Sequence, residues 1–295
     1  GNRIREKIGD ETIESGFFPD SRQIVRGGVT FAYDSLGRRI RDSDDETERS
    51  YSWSPDGRLN KTEVIGRSIE YQYDPSCLMT GRKEGLTQTR IIYDRLNPLL
   101  EIDRNSSGEL LEYRLLIYGQ EVDSILAIIV GRPTADPENV SGSEFSTRAY
   151  FLHRDERNNV ILVTDQSGSP VASYRYDPFG NLIDRQGSFI SPFLFAAQRF
   201  DRETGLYYMR ARHYDPANGV FLSRDPLLGN LDNALSTHPY IYALNDPISL
   251  SDPLGLFGTQ TVKNLSSEAI NGVDFTGITN DAVVGIATAA VENQH

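Results

Sequence analysis

The stretch SIEYQYDPSCLM, residues 68–79, predicts a β-hairpin. Polar and apolar residues alternate up to Tyr73, which is typical of a strand with one buried face. Asp74 then opens a turn that leads directly into the next apolar residues. Aspartate favours turns because its side chain binds the backbone a few residues further on. The stretch therefore predicts two short antiparallel strands joined by a tight turn.

The same pattern recurs with a period of 20 residues, marked by an aromatic residue. The residue four places after the repeat aromatic is Gly37, Gly57, Cys77 and Asn97 in successive repeats. Glycine and asparagine are residues that tolerate a positive φ. A unit this short cannot bury its own aromatic face, so the hairpins must stack into one long sheet that can coil on itself. We interpret the aromatics as packing residues and the aspartates as turn caps. The structural repeat positions are Tyr33, Trp53, Tyr73, Tyr93 and Tyr113, and the frame returns at Tyr176.

The rest of the sequence up to residue 256 also shows the alternating pattern that predicts β-strands. The segment 131–147, rich in Gly, Pro, Ser and acids, predicts an exposed loop inserted between hairpins. Helical periodicity is nearly absent before residue 257, so we predict an all-β body. Residues 257–295 contain no Pro, Arg or Tyr, and their small apolar run at 281–291 predicts a short, possibly helical C-terminal tail.

Composition and charge exclude several classes of protein. The 295 residues include 42 acids and 30 bases, a net charge of −12 that argues against a nucleic-acid binder. Cys77 is the single cysteine, so no internal disulfide forms, and no spacing of Cys and His suggests a metal site or a cofactor. No apolar stretch is long enough to span a membrane. Because the chain starts at Gly1 with no apolar leader, we expect it to be a piece of a longer protein.

Two long motifs near the C-terminus resemble a known family. Residues 200–226 read FDRETGLYYMRARHYDPANGVFLSRDP, and residues 252–256 read DPLGL. Together with YIYA at 240–243 and NDP at 245–247, they resemble the RHS repeat-associated core and its terminal signature. The upstream Tyr-Asp repeats resemble the YD repeats of Rhs, wall-associated and teneurin-type proteins. The resemblance covers about residues 1–256.

The resemblance implies a fold and a task. Residues 1–190 would be stacked YD hairpins that form a spiral sheet, part of a hollow cocoon, and residues 191–256 would be the core that plugs one end. Residues 257–295 would begin a variable effector region carried as cargo. Such shells belong to polymorphic toxins of bacterial competition and to toxin-complex C subunits. The implied partners are an upstream shell portion or shell-completing subunit, an immunity protein and a secretion machinery, and the implied location is secreted or on the bacterial surface.

The resemblance also implies self-cleavage of the Leu256–Phe257 bond by two aspartates, Asp225 and Asp252. Two adjacent carboxylates share one proton, so one acts as base towards water while the other acts as acid. Arg224 precedes Asp225, and we leave open whether it supports catalysis or forms a structural ion pair. In one departure from the family pattern, residues 232–237 lack the usual glycine-rich turn, which bears on how the two aspartates are placed.

Other readings of these residues remain open. Asp-Pro is a common turn former, so Asp225 and Asp252 could simply cap turns. His213 stands where the family usually has an aromatic, which favours a packing role. The rival to a self-cleaving toxin shell is an uncleaved structural or adhesive YD-repeat surface protein that binds carbohydrate or protein. A third hypothesis makes residues 257–295 themselves the toxin.

Overall fold

The fold is described from a computed structural model, which describes residues 2, 4–8, 11–134, 145–227, 235–256 and 260–261. Strands dominate these residues, with two short 3₁₀ turns at Phe195–Ala197 and Ala243–Asn245 and no α-helix among the described ranges. The strands are β1 (Arg5–Ile8), β2 (Glu11–Phe17), β3 (Gln23–Arg26), β4 (Val29–Tyr33), β5 (Arg39–Ser43), β6 (Glu48–Trp53), β7 (Leu59–Val64), β8 (Arg67–Tyr73), β9 (Met79–Glu84), β10 (Thr87–Asp94), β11 (Asn97–Arg104), β12 (Leu110–Tyr118), β13 (Ile125–Pro133), β14 (Phe145–Arg154), β15 (Val160–Asp165), β16 (Pro170–Tyr176), β17 (Leu182–Gly187), β18 (Arg199–Asp201), β19 (Leu206–Met209), β20 (Arg212–Asp215), β21 (Val220–Phe221), β22 (Leu250–Ser251) and β23 (Gln260–Thr261).

Strands β1 to β17 form one antiparallel sheet in which each strand pairs with the next along the chain. Strands β18 to β21 form a separate four-stranded antiparallel sheet, and β22 pairs with β23. The all-β prediction is confirmed. The predicted helical run at 281–291 lies outside the described residues. No helix in the described ranges is long and apolar enough to cross a membrane.

The turns that follow Tyr33, Tyr73 and Tyr176 are each closed by the aspartate at their start, and Ser54 takes that place after Trp53. In the turn after β8, Asp74 Oδ1 accepts the backbone N–H of Leu78 at 2.9 Å, and the Asp74 carbonyl accepts that of Cys77 at 3.0 Å. The fourth turn position carries a positive φ, 78° at Gly37, 87° at Gly57 and 72° at Cys77. Cys77 therefore adopts the left-handed conformation that glycine adopts in its sister turns.

The 20-residue frame breaks after Tyr93, which corrects two sequence-based assignments. The β10–β11 turn has only two residues, Arg95 and Leu96, and Arg95 rather than Asn97 carries the positive φ, 54°. This shorter turn and the eight-residue strand β11 shift the frame. Tyr113 consequently lies inside β12 with no turn after it, so it is a core aromatic of a central strand rather than a repeat marker.

The predicted loop at 131–147 is shorter than the sequence pattern suggests. Strand β13 continues to Pro133 and β14 begins at Phe145, and the two pair through Gly131 and Thr147. Gly131 is required there because a Cβ would lie 2.1 Å from the Tyr113 ring. The prediction of an insertion applies to the residues between these strands, of which 135–144 lie outside the described ranges.

Three of the repeat aromatics bind their hairpin to the one before it. Trp53 Nε1 donates to the carbonyl of Arg39, Tyr73 OH to that of Leu59 and Tyr176 OH to that of Val160, each at 2.7 Å. Tyr33, the first repeat aromatic, instead packs edge-on against Tyr240 of the C-terminal region, with ring centroids 6.1 Å apart. Aromatic faces and polar tips together stabilise such stacking.

The long sheet curves around the four-stranded sheet. Turns that are far apart along the chain contact this same small region: Tyr208 OH donates to the carbonyl of Cys77 at 3.2 Å, and Tyr207 OH to that of Gly180 at 3.1 Å. Tyr240 OH likewise donates to the carbonyl of Gly37 at 2.7 Å. The largest hydrophobic cluster mixes shell strands with residues 193–243, so the two parts share one core. One rim of turns is thereby closed by the C-terminal region.

The concave side of the sheet encloses space. A cavity of about 1600 Å³ is bounded by strands β8 to β17 and by the segment 199–203. Charged side chains from facing strands line it, and many are paired: Arg114 contacts Glu101, Asp103 and Glu112. Apolar side chains such as Val171 and Phe200 also line the cavity, so its wall is mixed in character.

Candidate active site

Three segments of the C-terminal region bring one arginine and two aspartates together. Arg212 begins β20, Asp225 follows β21, and Asp252 follows β22. Arg212 Nη2 lies 2.6 Å from Asp225 Oδ2 and 3.2 Å from Asp252 Oδ2. The side chains of Arg212 and Asp252 are each 2% exposed, and that of Asp225 is 9% exposed. Two carboxylates thus meet on one guanidinium nitrogen in a nearly water-free place.

The other nitrogens of Arg212 are also engaged, which fixes its orientation. Nε donates to the carbonyl of Gly255 at 2.5 Å, and Nη1 donates to that of Pro239 at 3.1 Å. The guanidinium carbon lies 3.6 Å from the ring centroid of Phe221, a cation–π contact. Because these contacts hold the planar guanidinium group of Arg212 on every side, it cannot rotate away from Asp225 and Asp252.

Each aspartate is also tied to the backbone around it. Asp225 Oδ1 accepts the N–H of Leu227 at 2.8 Å, while the N–H of Asp225 donates to the Pro239 carbonyl at 2.8 Å. Asp252 Oδ1 accepts the N–H of Leu256 at 2.9 Å. The residue on the N-terminal side of the implied scissile bond is therefore hydrogen-bonded to one of the two aspartates.

The turn 252–256 lies against the β19–β20 hairpin in a fixed register. Three consecutive carbonyls are held by three consecutive residues: Arg210 Nη1 donates to Pro253 O at 2.5 Å, the N–H of Ala211 to Leu254 O at 3.1 Å, and Arg212 Nε to Gly255 O at 2.5 Å. A one-residue slip would break all three bonds at once.

Gly255 makes this close approach possible. Its φ is 64°, and a Cβ on it would lie 2.3 Å from the carbonyl oxygen of Met209. Any other residue would both strain the backbone and collide with the end of β19. The glycine of the DPLGL sequence is therefore needed for docking as well as for turning.

The electrostatics of the three groups are strongly coupled. Burial raises the pKa of the Asp252 carboxyl, Arg212 and the N–H of Leu256 oppose this, Asp225 adds to it, and the pKa lies above its ordinary value. Burial lowers the pKa of Arg212, although both aspartates pull it up. Asp252 therefore accepts a proton more readily than an exposed aspartate does.

The structure places the sequence-predicted residues as follows. Asp225 and Asp252 come together, and Leu256 lies beside them through its bond to Asp252. Arg224 is exposed; its side chain lies beside Gly37, and it interacts electrostatically with Asp20 and Tyr240. Phe257 lies outside the described residues.

Sequence reasoning missed Arg212, the residue that joins the two aspartates. In the run YYMRARHYD, 207–215, it looks like one of several cations in a strand. The sequence signal that could have identified it is the pair of arginines on either side of Ala211 at the end of a hairpin. Two charged side chains at a buried turn require partners of opposite charge.

His213 has a packing role, and no metal cluster is present among the described residues. The His213 ring lies between those of Tyr71 and Tyr208, with centroids 5.2 and 5.4 Å away. Burial lowers the pKa of His213 to about 4. No group of three His, Cys, Asp or Glu residues in the described ranges is arranged to hold a metal ion.

Comparison with known families assigns this architecture. The teneurin YD-shell family model matches residues 20–248, most of the chain. The chain belongs to the teneurin YD-shell family. This confirms the resemblance to Rhs and YD-repeat proteins drawn from the sequence.

Named relatives of this YD-shell chain include toxins. It is 30% identical over 253 residues to the tRNA3(Ser)-specific nuclease WapA of Bacillus spizizenii, covering 83% of this chain and 10% of that protein. It is 36% identical over 110 residues to the toxin protein Tse5 of Pseudomonas aeruginosa, covering 37% of this chain and 8% of the relative. The chain thus spans about a tenth of the length of these relatives.

A solved structure shares the fold. The crystal structure of TcdB2–TccC3 without its hypervariable C-terminal region matches with a TM-score of 0.56 at 16% sequence identity, over 83% of this chain and 15% of that one. At this identity the match supports the YD-shell fold alone.

Proposed function

We propose that this chain is part of an Rhs-type toxin shell that cuts itself once, after Leu256, and so frees a C-terminal effector. The observation that carries this proposal is the contact of Arg212 with both Asp225 and Asp252. The carbonyl of Gly255 accepts a hydrogen bond from Arg212, and the N–H of Leu256 donates one to Asp252. A pair of adjacent carboxylates beside a peptide segment fits acid–base hydrolysis.

The residues divide the work according to their surroundings. Asp225, the more exposed aspartate, takes a proton from a water molecule whose oxygen attacks the Leu256 carbonyl carbon. Asp252, whose pKa burial raises, holds a proton and donates it to the Phe257 nitrogen as the C–N bond breaks. Hydroxyl is thus added to Leu256 and hydrogen to Phe257, and the proton returns from Asp225 to Asp252 through water.

Arg212 has two tasks in this scheme. Its positive charge offsets the one negative charge that Asp225 and Asp252 share in a buried place. Its Nε bond to Gly255 O holds the chain one residue before the scissile carbonyl, which limits the motion of the reacting bond. We assign Arg212, rather than Arg224, the supporting catalytic role.

The wider role of the chain is proposed from its fold and relatives. The large cavity and the closed rim of turns fit a container. The names of WapA and Tse5 as a nuclease and a toxin, and the hypervariable C-terminal region of TccC3, fit an effector beyond residue 256. We propose that an upstream portion or partner subunit completes the shell, that an immunity protein and secretion machinery serve it, and that it is secreted or displayed by a bacterium.

Intact mass of the purified chain tests the proposal. We expect a fragment ending at Leu256 in the wild type and a single uncut mass in Asp225→Asn. Asp177→Asn is the matched control, since Asp177 also precedes a proline and caps its own turn, and it should be cut like the wild type. A wild-type chain that is folded and remains whole would contradict the proposal and favour the uncleaved surface protein.

A further inference from the structure

Arg210, two residues before the site arginine, joins the shell to the turn that carries the scissile bond. Its Nη2 lies 2.6 Å from Asp123 Oδ1, and its Nη1 lies 3.0 Å from Asp123 Oδ2. The same Nη1 donates to the carbonyl of Pro253, and Nη2 donates to that of Leu96 at 3.1 Å. One guanidinium group thus bridges two shell turns and the turn 252–256.

Asp123 is itself a meeting point of shell turns. It lies in the connection between β12 and β13, and its N–H donates to Asn97 Oδ1 at 3.0 Å. Asn158, in the turn after β14, donates from Nδ2 to the Asp123 carbonyl at 2.9 Å. The backbone of Asp123 is thus held from both sides, by the first residue of β11 and by the turn after β14, and its carboxylate meets Arg210 from that place.

The pair is buried and its backbone is unusual on both sides. The side chains of Arg210 and Asp123 are 9% and 8% exposed. Burial lowers the pKa of Arg210, but the carboxylate of Asp123 outweighs burial and the pKa is raised. Both residues adopt a positive φ, 52° and 64°. Residues with a Cβ are rarely found there without support from their surroundings.

Arg210 acts on the turn 252–256 and not on the reacting atoms. It binds Pro253 O, the first of the three consecutive carbonyls held by residues 210–212. The last of these is Gly255 O on Arg212, the site arginine. Because the backbone from Pro253 to Gly255 is one tight turn, displacing Pro253 displaces the chain that Arg212 and Asp252 must hold.

We propose that the Asp123–Arg210 ion pair positions the scissile turn and so makes self-cleavage conditional on closure of the shell rim. This inference rests on the proposed self-cleavage. In a chain whose rim turns are not yet assembled, Arg210 lacks its partners at Asp123 and Leu96, and the turn 252–256 lacks its first support. The effector would then be cut free only after the rim that surrounds it has formed.

The test compares two similar ion pairs between shell and core. Asp123→Asn weakens the pair that supports the scissile turn. Asp201→Asn is the matched control, because Asp201 also accepts two hydrogen bonds from one shell arginine, Arg82, at 2.8 and 3.1 Å, without contacting the turn. Each chain is made by cell-free translation with a short radiolabel pulse, and the rate at which the uncut band disappears is measured. Thermal unfolding of the purified chains reports their stability.

We expect cleavage in Asp123→Asn to slow by about 10- to 100-fold, as for misplacement of a reacting group by ~1 Å. Asp201→Asn should cleave within about twofold of the wild type at a comparable loss of thermal stability. Arg210→Lys keeps the charge opposite Asp123 but cannot span Asp123, Leu96 and Pro253 together, so it should fold and cleave slowly.

The outcomes separate this inference from the proposed function. If Asp225→Asn blocks cleavage while Asp123→Asn and Arg210→Lys cleave at the wild-type rate, the positioning role is wrong and the protease stands. Equal slowing in Asp123→Asn and Asp201→Asn would also overturn it, because general destabilisation would then be the cause. If Asp123→Asn does not fold, Arg210→Lys alone decides. A wild-type chain that is never cut contradicts the proposed function itself.

Discussion

Two turns of this molecule have similar sequences and share two capping hydrogen bonds, yet only one lies beside a second aspartate and a buried arginine. Asp74 to Leu78 reads DPSCL and Asp252 to Leu256 reads DPLGL. In both, the aspartate Oδ1 accepts the N–H four residues later at 2.9 Å, and its carbonyl accepts the N–H three residues later. The turn 252–256 is thus built like a shell repeat turn.

The difference lies in what surrounds the second carboxylate oxygen. Asp252 Oδ2 contacts Arg212 in a buried place shared with Asp225, whereas Asp74 is half-buried at the rim. A turn cap needs one oxygen, so the other is free to take part in a reaction when a partner is brought to it. The Asp-Pro motif supplies the turn, and tertiary contacts bring together the residues of the proposed acid–base pair.

Replacement of Arg212 should slow cleavage more than replacement of Gly255 or Asp74. Arg212→Lys places a single ammonium where a planar fork bound two carboxylates and two carbonyls, so we expect cleavage to slow by more than about 100-fold. Arg224→Lys, the neighbour of Asp225 in sequence, should cleave at the wild-type rate. The rates are measured by gel after pulsed translation. If cleavage slowed equally in both variants, Arg224 would also have a supporting role.

The next largest difference in cleavage rate should come from replacing a glycine by alanine in the turn 252–256 and in a shell repeat turn. Gly255→Ala and Gly57→Ala both put a Cβ at a positive φ, 64° and 87°, and should each lose about 1 kcal/mol of stability to backbone strain. Only the Cβ at 255 meets an atom, Met209 O, whereas nothing lies within 4 Å at 57. We therefore expect about tenfold slower cleavage in Gly255→Ala alone. Slower cleavage in Gly57→Ala would show that strain, and not docking, is responsible.

The pH dependence of cleavage should reveal the burial of Asp252. Burial raises its pKa, and the protonated form is the acid in the proposed reaction. Above that pKa the protonated fraction falls about tenfold for each pH unit, so the rate should fall as the pH rises. Uncut chain refolded from denaturant into buffers across the acidic and neutral range gives the profile. A rate that increases steadily with pH would contradict Asp252 as the acid.

The smallest effect is expected in the shell turn. Asp74→Ala removes the half-buried acceptor of the Leu78 N–H, and should lower the free energy of unfolding by about 1 kcal/mol. Cleavage should be unchanged. Chemical denaturation gives the stability, and the intact mass gives the extent of cleavage. A cleavage defect in this variant would mean that the two turns are coupled through the sheet.

The all-β fold could be predicted from sequence because it follows from local rules. Alternation around Tyr73 and the turn chemistry of Asp74 act within a few residues, and the 20-residue period repeats them. The frame failed at Tyr113, because a two-residue turn at Arg95 and Leu96 has no glycine or Asp-Pro to announce it. The boundaries of the 131–147 loop failed because residues with turn-forming composition at its ends are paired as strands.

The candidate site could be predicted only in part. The motif match supplied Asp225 and Asp252, and the structure brings them together. Arg212 could not be inferred from spacing, since its contacts join residues 13 and 40 positions away through the packing of three separate segments. Arg210 likewise reaches back 87 positions to Asp123. Contacts of this range depend on the whole fold and leave no local pattern.

The intact masses of Asp252→Asn and Asp74→Asn, purified beside the wild type, test directly whether Asp252 takes part in self-cleavage. Asparagine keeps the Oδ1 acceptor of each turn, so both variants should fold. We predict that the wild type and Asp74→Asn yield a fragment ending at Leu256, while Asp252→Asn stays whole. Cleavage of Asp252→Asn at the wild-type rate, or a wild-type chain that is folded and never cut, would contradict the account.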